Sequence, residues 1–593
     1  MSSYYLDAGA GTQVATPTFA QAIVSNDFGT ETVSGGAAFP AGTILNLPAD
    51  GSALPTIAAL DAAATGGTLH TTTDAILAPA VSGDANLLLV ESQINAVSVP
   101  AGYGVIANLS PLSALSPFST PTISTSASLA TTVLGGLGGM TVWDSSANEI
   151  VYTGGGDNVI GMSSAVMESL DVVLSGINDI VAVGVGDATV TGGGYSNIVW
   201  GSGTSANTNL NVDLAQGSST VMAGVGTNTI DLGGTNDLIF GGYGTNIDTI
   251  SGANDIYVAG SGASSVTAGA SDVIYAGSNT MDVTIGGAGA IFVGSSGNDT
   301  INASSGVTGW GGSGTMNFIS SGNTTIIGGS GATTAIQNGG PGDYFNNGAG
   351  VMTVSGGSGP ATITESWAGP GGMLVNAGAS GGDTINMTEG NTTVVAGSAG
   401  NSVNFYGNAS GNVWLAQGNT VDLASSGYVA VNDTTAALSG GNLIDAQGDT
   451  GTANITFGTN SNTVSDTIIG GAGTNIYTPV VQANAISGSA SVSFGAGSNE
   501  LVLRPQDTSA YLWINIFNFD PNRDVIDFNG FGSTRPALAA AMSAELNRVV
   551  PSGQPPGSTF FTTGNMLVAL FAGTGPSSQT PLPAINASHF IST

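Results

Sequence analysis

The sequence predicts an all-β protein whose middle is a parallel β-solenoid, and three observations carry that prediction. A nine-residue beat runs from Asn228 to Asn317. Each beat tends to place Gly before a polar position and Ile, Val or Phe after it. The composition suits tight turns and short strands: 94 of 593 residues are Gly, 41 % are hydrophobic, and 7 % are charged. Ordinary globular domains hold roughly 25 % charged residues. Few charges beside many β-branched residues describe an ordered chain, since disorder goes with high charge and little apolar material.

The clearest unit of the beat is Gly294-Ser295-Ser296-Gly297-Asn298-Asp299-Thr300-Ile301-Asn302. The series Asn228, Asp237, Asn246, Asp255, Ser264 keeps a step of nine, Asp272 follows after eight, and Met281, Ala290, Asp299, Thr308 and Asn317 resume it. Each unit reads as a Gly/Asx turn followed by a strand of two or three residues. So short a strand cannot bury a face alone and must stack on neighbouring coils. With two units per coil, Asp237, Asp255 and Asp272 fall on one edge of the stack, followed by Ala290. The other edge holds mostly Asn and Ser until Asp299.

Three domains are expected. Residues 1–150 show no clean repeat, contain short β-type runs such as Thr43 to Pro48 and Asn86 to Glu91, and are punctuated by Pro40, Pro48, Pro55, Pro79 and Pro100. They are read as an N-terminal β-rich cap or assembly domain. Residues 151–500 form the solenoid, visible first at Gly154-Gly155-Gly156-Asp157-Asn158 and last at Phe494-Gly495-Ala496-Gly497-Ser498-Asn499. Residues 501–593 form a small C-terminal β domain. Within it, Pro536 to Arg548 has the Ala, Leu, Met and Glu content of one helix, with Pro at its start.

Charge and cysteine usage narrow the partners. The net charge is −34, with no Lys and all four Arg (Arg504, Arg523, Arg535, Arg548) beyond residue 503. Such a surface repels nucleic acid and anionic lipid, so neither is an expected partner, and it attracts divalent cations. No apolar run of about 18 residues is present, so membrane insertion is not expected. The absence of Cys excludes disulfides and thiolate metal sites. The stretch Met1 to Ala8 lacks the basic and apolar regions of a classical secretory signal.

The units at 294–302, 233–240 and 381–386 resemble the RTX nonapeptide, Gly-Gly-x-Gly-x-Asp-x-apolar-x. In that family Asp carboxylates and Gly carbonyls of successive turns hold calcium in a parallel β-roll. The resemblance implies calcium at Asp237, Asp255, Asp272 and Asp299, because a hard cation takes six to eight such oxygens. The match is worn: other beats hold Asn228, Asn246, Ser264, Ala290, Thr308 or Asn317 in place of Asp. The stretch Asn518-Phe519-Asp520-Pro521-Asn522-Arg523-Asp524-Val525-Ile526-Asp527-Phe528 and the ending Ile585 to Ile591 resemble the C-termini of proteins exported by type I secretion. This implies an ABC-type exporter as a partner, a Gram-negative bacterial source and an extracellular or cell-surface location.

These features lead to an expected function in self-assembly. A secreted structural subunit, forming a filament, surface layer or biofilm-matrix polymer by head-to-tail contact with copies of itself, fits a solenoid whose end coils need pairing. Donation of an N-terminal strand such as Gln13 to Ile23 is one route to that contact. The alternative is a cell-surface adhesin or glycan-binding solenoid, with matrix polysaccharide as partner; regular Thr rows or exposed aromatics would support it. Trp200, Trp310 and Trp414 are read as scattered packing residues or isolated contacts. A polysaccharide-acting enzyme is less favoured. Lyase chemistry needs a base and a neutraliser of the uronate carboxylate, usually Lys, Arg, His or Tyr. The repeats hold no Lys, Arg or His, with His70 and His589 outside them, while the available Asp positions coincide with the turn beat.

Overall fold

The computed structural model describes residues 122–529 apart from several short interruptions. Outside that span it describes chiefly the strands Leu6–Asp7, Leu45–Asn46, Leu69–Thr72, Asn86–Val90, Ala96–Ser98, Tyr103–Asn108, Thr559–Thr563, Met566–Leu570 and Phe590–Ile591. Every regular element among the described residues is a β-strand. The fold is a parallel β-solenoid of two sheets, and the chain divides into two compact units, Met1–Val293 and Gly294–Thr593.

In the first unit each coil gives one strand to each sheet. The first sheet stacks Leu170–Leu174, Ala188–Gly192, Leu210–Leu214, Asn228–Leu232, Asn246–Ala253, Ser264–Ala270 and Met281–Ile285, all parallel. The second stacks Ile180–Ala182, Ile198–Trp200, Thr220–Met222, Leu238–Phe240, Ile256–Val258, Val273–Tyr275 and Ile291–Val293. Alternation decides which side chains enter the core. In Leu210-Asn211-Val212-Asp213-Leu214 the three aliphatic residues are buried and the two polar ones exposed. Second-sheet strands turn only their middle residue inward, and Val221, Ile239, Tyr257 and Ile274 are fully buried. Burying each such side chain is worth about 1.5–3 kcal/mol, and only the coils on either side can cover it.

Residue 150 does not mark the start of the sheets. Leu69–Thr72 pairs with Asn86–Val90, which pairs with Tyr103–Asn108, then Thr131–Leu134, then Glu149–Tyr152, all parallel. Coil length explains why the sequence shows no period there. Leu87 lies beside Val105 and Thr131 beside Glu149, each 18 residues on, but Val105 lies beside Thr132, a coil of 27 residues. Unequal coils erase a fixed beat while leaving strand pairing intact.

The second unit repeats the plan. Its first sheet runs from Asn298–Ala303 to Ser498–Leu503 and Val525–Phe528, and its second from Thr308–Trp310 to Ser487–Ser493 and Tyr511–Phe517. The strands beyond residue 500 therefore continue both sheets, although the composition changes there. Aromatic stacking closes this end: Tyr477 lies on Phe494 with ring centroids 4.9 Å apart, and Phe517 lies on Phe571 at the same distance. Met566–Leu570 adds to the second sheet in parallel and takes Thr559–Thr563 in antiparallel fashion. The helix expected over residues 536–548 and the N-terminal strand expected at 13–23 lie outside the described residues.

Candidate functional site

The polar positions of the beat form a ladder inside the turns that lead into the second sheet. In the first unit the row is Met140, Asn158, Asp179, Asn197, Ser219, Asp237, Asp255, Asp272 and Ala290, each immediately preceding a second-sheet strand or its first paired residue. Except at Met140 and Asn158, the residue before each ladder position is left-handed: Asn178, Ser196, Ser218, Asn236, Asn254 and Ser271 have φ of 58–64° and Gly289 has φ 81°. Asn, Ser and Gly tolerate that conformation, and it turns the next N–H along the stack. At Asp179, Ser219, Asp237 and Asp255 this N–H donates to the side-chain oxygen of the next coil. Ser219 N donates to Asp237 Oδ1 at 2.7 Å, Asp237 N to Asp255 Oδ1 at 2.7 Å, and Asp255 N to Asp272 Oδ1 at 3.0 Å. The second unit does the same from Ala361 through Asp383, Asn401, Asn419 and Asn442 to Asp466, at 2.8–3.1 Å.

The register thus stacks Asp237, Asp255 and Asp272 in one row, with their carboxylates facing inward. All three are at most 1 % exposed, in phase with the buried Ile239, Tyr257 and Ile274 two residues on. Burial raises their proton affinity, offset in part by the backbone donors. Asp237 is pushed up to about 7 and Asp255 to about 6, and Asp272 is also raised. The inner oxygens Asp237 Oδ2 and Asp255 Oδ2 find no hydrogen-bond partner among the described residues. Asp272 Oδ2 accepts from Gly269 N at 2.6 Å. Asp299 belongs to another row: it pairs with Met316 in the first sheet of the second unit, is 3 % exposed, and is pushed up to about 6 by burial.

The calcium site that the resemblance implies would draw on carboxylates that already serve the backbone. Each coil offers one carboxylate whose Oδ1 is already engaged by a backbone N–H. Among the described residues no group of three or more acidic or His side chains converges on a point that could hold an ion. A hard cation needing six to eight oxygens would have to draw most of them from backbone carbonyls. The sequence pattern missed the inward N–H acceptor role, although one signal for it was present. Asp, Asn, Ser and Thr exchange freely at the beat, and what they share is an oxygen acceptor, not charge.

A second row holds the turns entering the first sheet. In Gly224-Val225-Gly226-Thr227-Asn228 the Asn228 side chain accepts from Gly224 N at 3.0 Å, donates to Gly224 O and Gly226 O, and reaches Asn246 Oδ1 at 2.9 Å. The second unit repeats this with Asn475, Asn499 and Asp524. There Arg523 finishes the row. Its guanidinium donates to Gly495 O and Ala496 O at 3.0 Å and pairs with Asp524 Oδ1 at 3.0 Å.

Outward positions give the first unit two unlike faces. The first sheet presents Asp171, Asp213, Asp231 and Asp282 to solvent. On the second sheet the register aligns Trp143, Gly161, Ala182, Trp200, Met222, Phe240, Val258, Tyr275 and Val293 in one outward row. Trp200 is therefore part of a row, not a scattered contact; the unequal coil lengths conceal this in the sequence. Trp310 and Trp414, in the second unit, are 47 % and 37 % exposed and so are not packing residues either. At the same outward positions the second unit carries Thr362, Thr364, Thr384, Asn386, Ser402 and Asn404.

Fold and interior together define the class: a two-sheet parallel β-solenoid whose coils are joined by stacked Asp and Asn side chains. Compared with known family models, curated proteins and solved structures, the chain finds no match.

Proposed function

We propose that this protein is an extracellular structural subunit that assembles end to end with copies of itself. The observation that supports the reading is the Asx ladder. The buried acidic residues of these turns are committed, coil after coil, to holding the neighbouring backbone, so their carboxylate chemistry is architectural. A solenoid built this way is quasi-one-dimensional, and its terminal coils gain from being covered by another copy. Export by a type I ABC transporter follows from the resemblance of residues 518–528 and 585–591 to such C-termini. Negative-stain microscopy of the purified full chain tests assembly: regular polymers are expected, and a monodisperse monomer at all concentrations would sink the proposal. Removing residues 1–25 should abolish polymers while leaving the melting transition in place.

The exposed aromatic row favours one further reading, a role in docking.

A further inference from the structure

We infer that the outer face of the second sheet in the first unit is a lateral interface that takes a second copy of this chain, face to face, about a two-fold axis. The inference adds a side-by-side partner to the end-to-end assembly proposed above and rests on that reading only for the form the polymer takes.

The face runs from Trp143 to Val293 over eight coil-to-coil steps. Its two outward positions per coil carry no charged side chain, and Thr141 and Thr220 are their only Ser or Thr residues. Trp143, Trp200, Met222, Phe240, Ile256 and Tyr275 are each 37–51 % exposed. Gly161 makes room for one of these rings, since a Cβ there would lie 2.3 Å from the Trp143 indole. Isolated exposed apolar residues are ordinary, but a continuous charge-free row marks a binding surface.

The identity of the occupant follows from charge and chemistry. The chain carries −34 and no Lys, so two copies repel wherever carboxylates meet, as on the opposite face with Asp171, Asp213, Asp231 and Asp282. The second-sheet face is where a like copy can approach without that cost. A sugar chain needs hydrogen-bonding side chains beside its aromatic platforms, and this row is as much Ile, Leu, Val and Met as aromatic. An anionic bilayer is repelled by the rest of the chain. Two such faces pack as stacked sheets about 10 Å apart, leaving both acidic faces outside.

Size sets the strength. Eight steps of about 4.8 Å and a strand about 10 Å wide give roughly 400 Å² per copy, half of what a standard interface buries on each partner. Free chains therefore pair weakly, and chains already joined end to end pair firmly because their faces add.

The absence of Cys makes a clean test possible on the full chain. Met222 lies at the centre of the row, so a two-fold axis brings it close to its own copy. Met222→Cys is expected to oxidise to a covalent dimer at least about tenfold faster than Asp231→Cys on the opposite face, and equal rates would overturn the inference. Phe240→Thr with Tyr275→Thr places at these sites a residue the second unit already uses there. It should weaken concentration-dependent dimerisation in sedimentation about tenfold with an unchanged melting curve, and unchanged dimerisation would overturn the inference. Cross-linking through Met222→Cys without polymers supports this interface and sinks end-to-end assembly. Polymers without cross-linking, or capture of polysaccharide or lipid vesicles by the wild-type face in place of dimerisation, overturn the interface alone.

Discussion

Asp248 shows at a single residue what the interior tolerates. It stands between Ile230 and Val266 in the first sheet, 2 % exposed, where its neighbours in register are aliphatic. Neither oxygen makes a hydrogen bond of ordinary geometry, although the Tyr257 hydroxyl is close enough to favour the charged form and itself donates to Ser264 Oγ at 3.1 Å. Burial is the larger effect and pushes the carboxyl up to about 7. Asp237 near 7, Asp255, Asp299 and Asp179 near 6, and Glu365 near 7 share that cause. The sign of the pH dependence follows. Below about 4 both folded and unfolded states hold these protons, so the groups cost nothing. Between about 4 and 7 the folded state keeps protons that the unfolded state has released, and stability falls as pH rises, by about 1.4 kcal/mol per pH unit for each group so held. Thermal melting is thus expected to be highest on the acidic side and to drop towards pH 8; a melting temperature that rises from pH 4 to 8 would contradict it. Asp248→Val should stabilise the protein at pH 8 by about 1–3 kcal/mol and flatten that profile. Asp237→Asn keeps the acceptor for Ser219 N and should be tolerated, while Asp237→Ala strands that buried N–H and should cost about 1–3 kcal/mol.

At the scale of the turn and its strand, the unit of construction is a left-handed residue, an Asx acceptor and a short strand. Turns of successive coils touch backbone to backbone. At Gly252 an added Cβ would lie 1.7 Å from Gly234 O, whereas at Gly193 it would meet nothing within 4 Å. Gly252→Ala is therefore expected to cost about 3 kcal/mol in denaturant unfolding and Gly193→Ala almost nothing. If the two variants unfold alike, the turns are not in contact as described. The beat from Asn228 to Asn317 made this unit legible in the sequence because its coils have nearly equal length. The carboxylate direction was not legible. A turn Asp can serve a cation outside or an N–H inside, and only the phase with Ile239, Tyr257 and Ile274 separates the two. The Trp143 to Val293 row was also hidden, since coils of 18, 21 and 22 residues align in space but not in sequence.

For the molecule as a whole, the abundance of acid and the near absence of base acquire a structural account. A net charge of −34 would normally call for counter-cations to hold a compact state, yet many of these carboxylates sit inside the sheets at raised proton affinity. Stacking by hydrogen bonds that an amide serves as well as a carboxylate would let the described coils hold together without bound metal. Chelation of calcium should accordingly leave the melting temperature of the full chain unchanged, and a drop of many degrees would restore the ion to the account. The boundaries expected at residues 150 and 500 correspond to changes of composition, from Pro-punctuated to Gly-rich sequence and from Gly-rich to aromatic packing, with strand pairing continuous through both positions.

Serial stacking also determines how the first unit yields to force. Its inter-strand hydrogen bonds point along one axis, so tension applied at an end loads a single coil at a time. Detaching the 18-residue coil between Leu238 and Ile256 frees roughly 60 Å of chain, and the 22-residue coil between Ala188 and Leu210 roughly 75 Å. An extension trace would be a staircase whose step heights spell out the coil lengths in order, and a subunit pulled by its neighbour would shed load by surrendering end coils before its middle gave way.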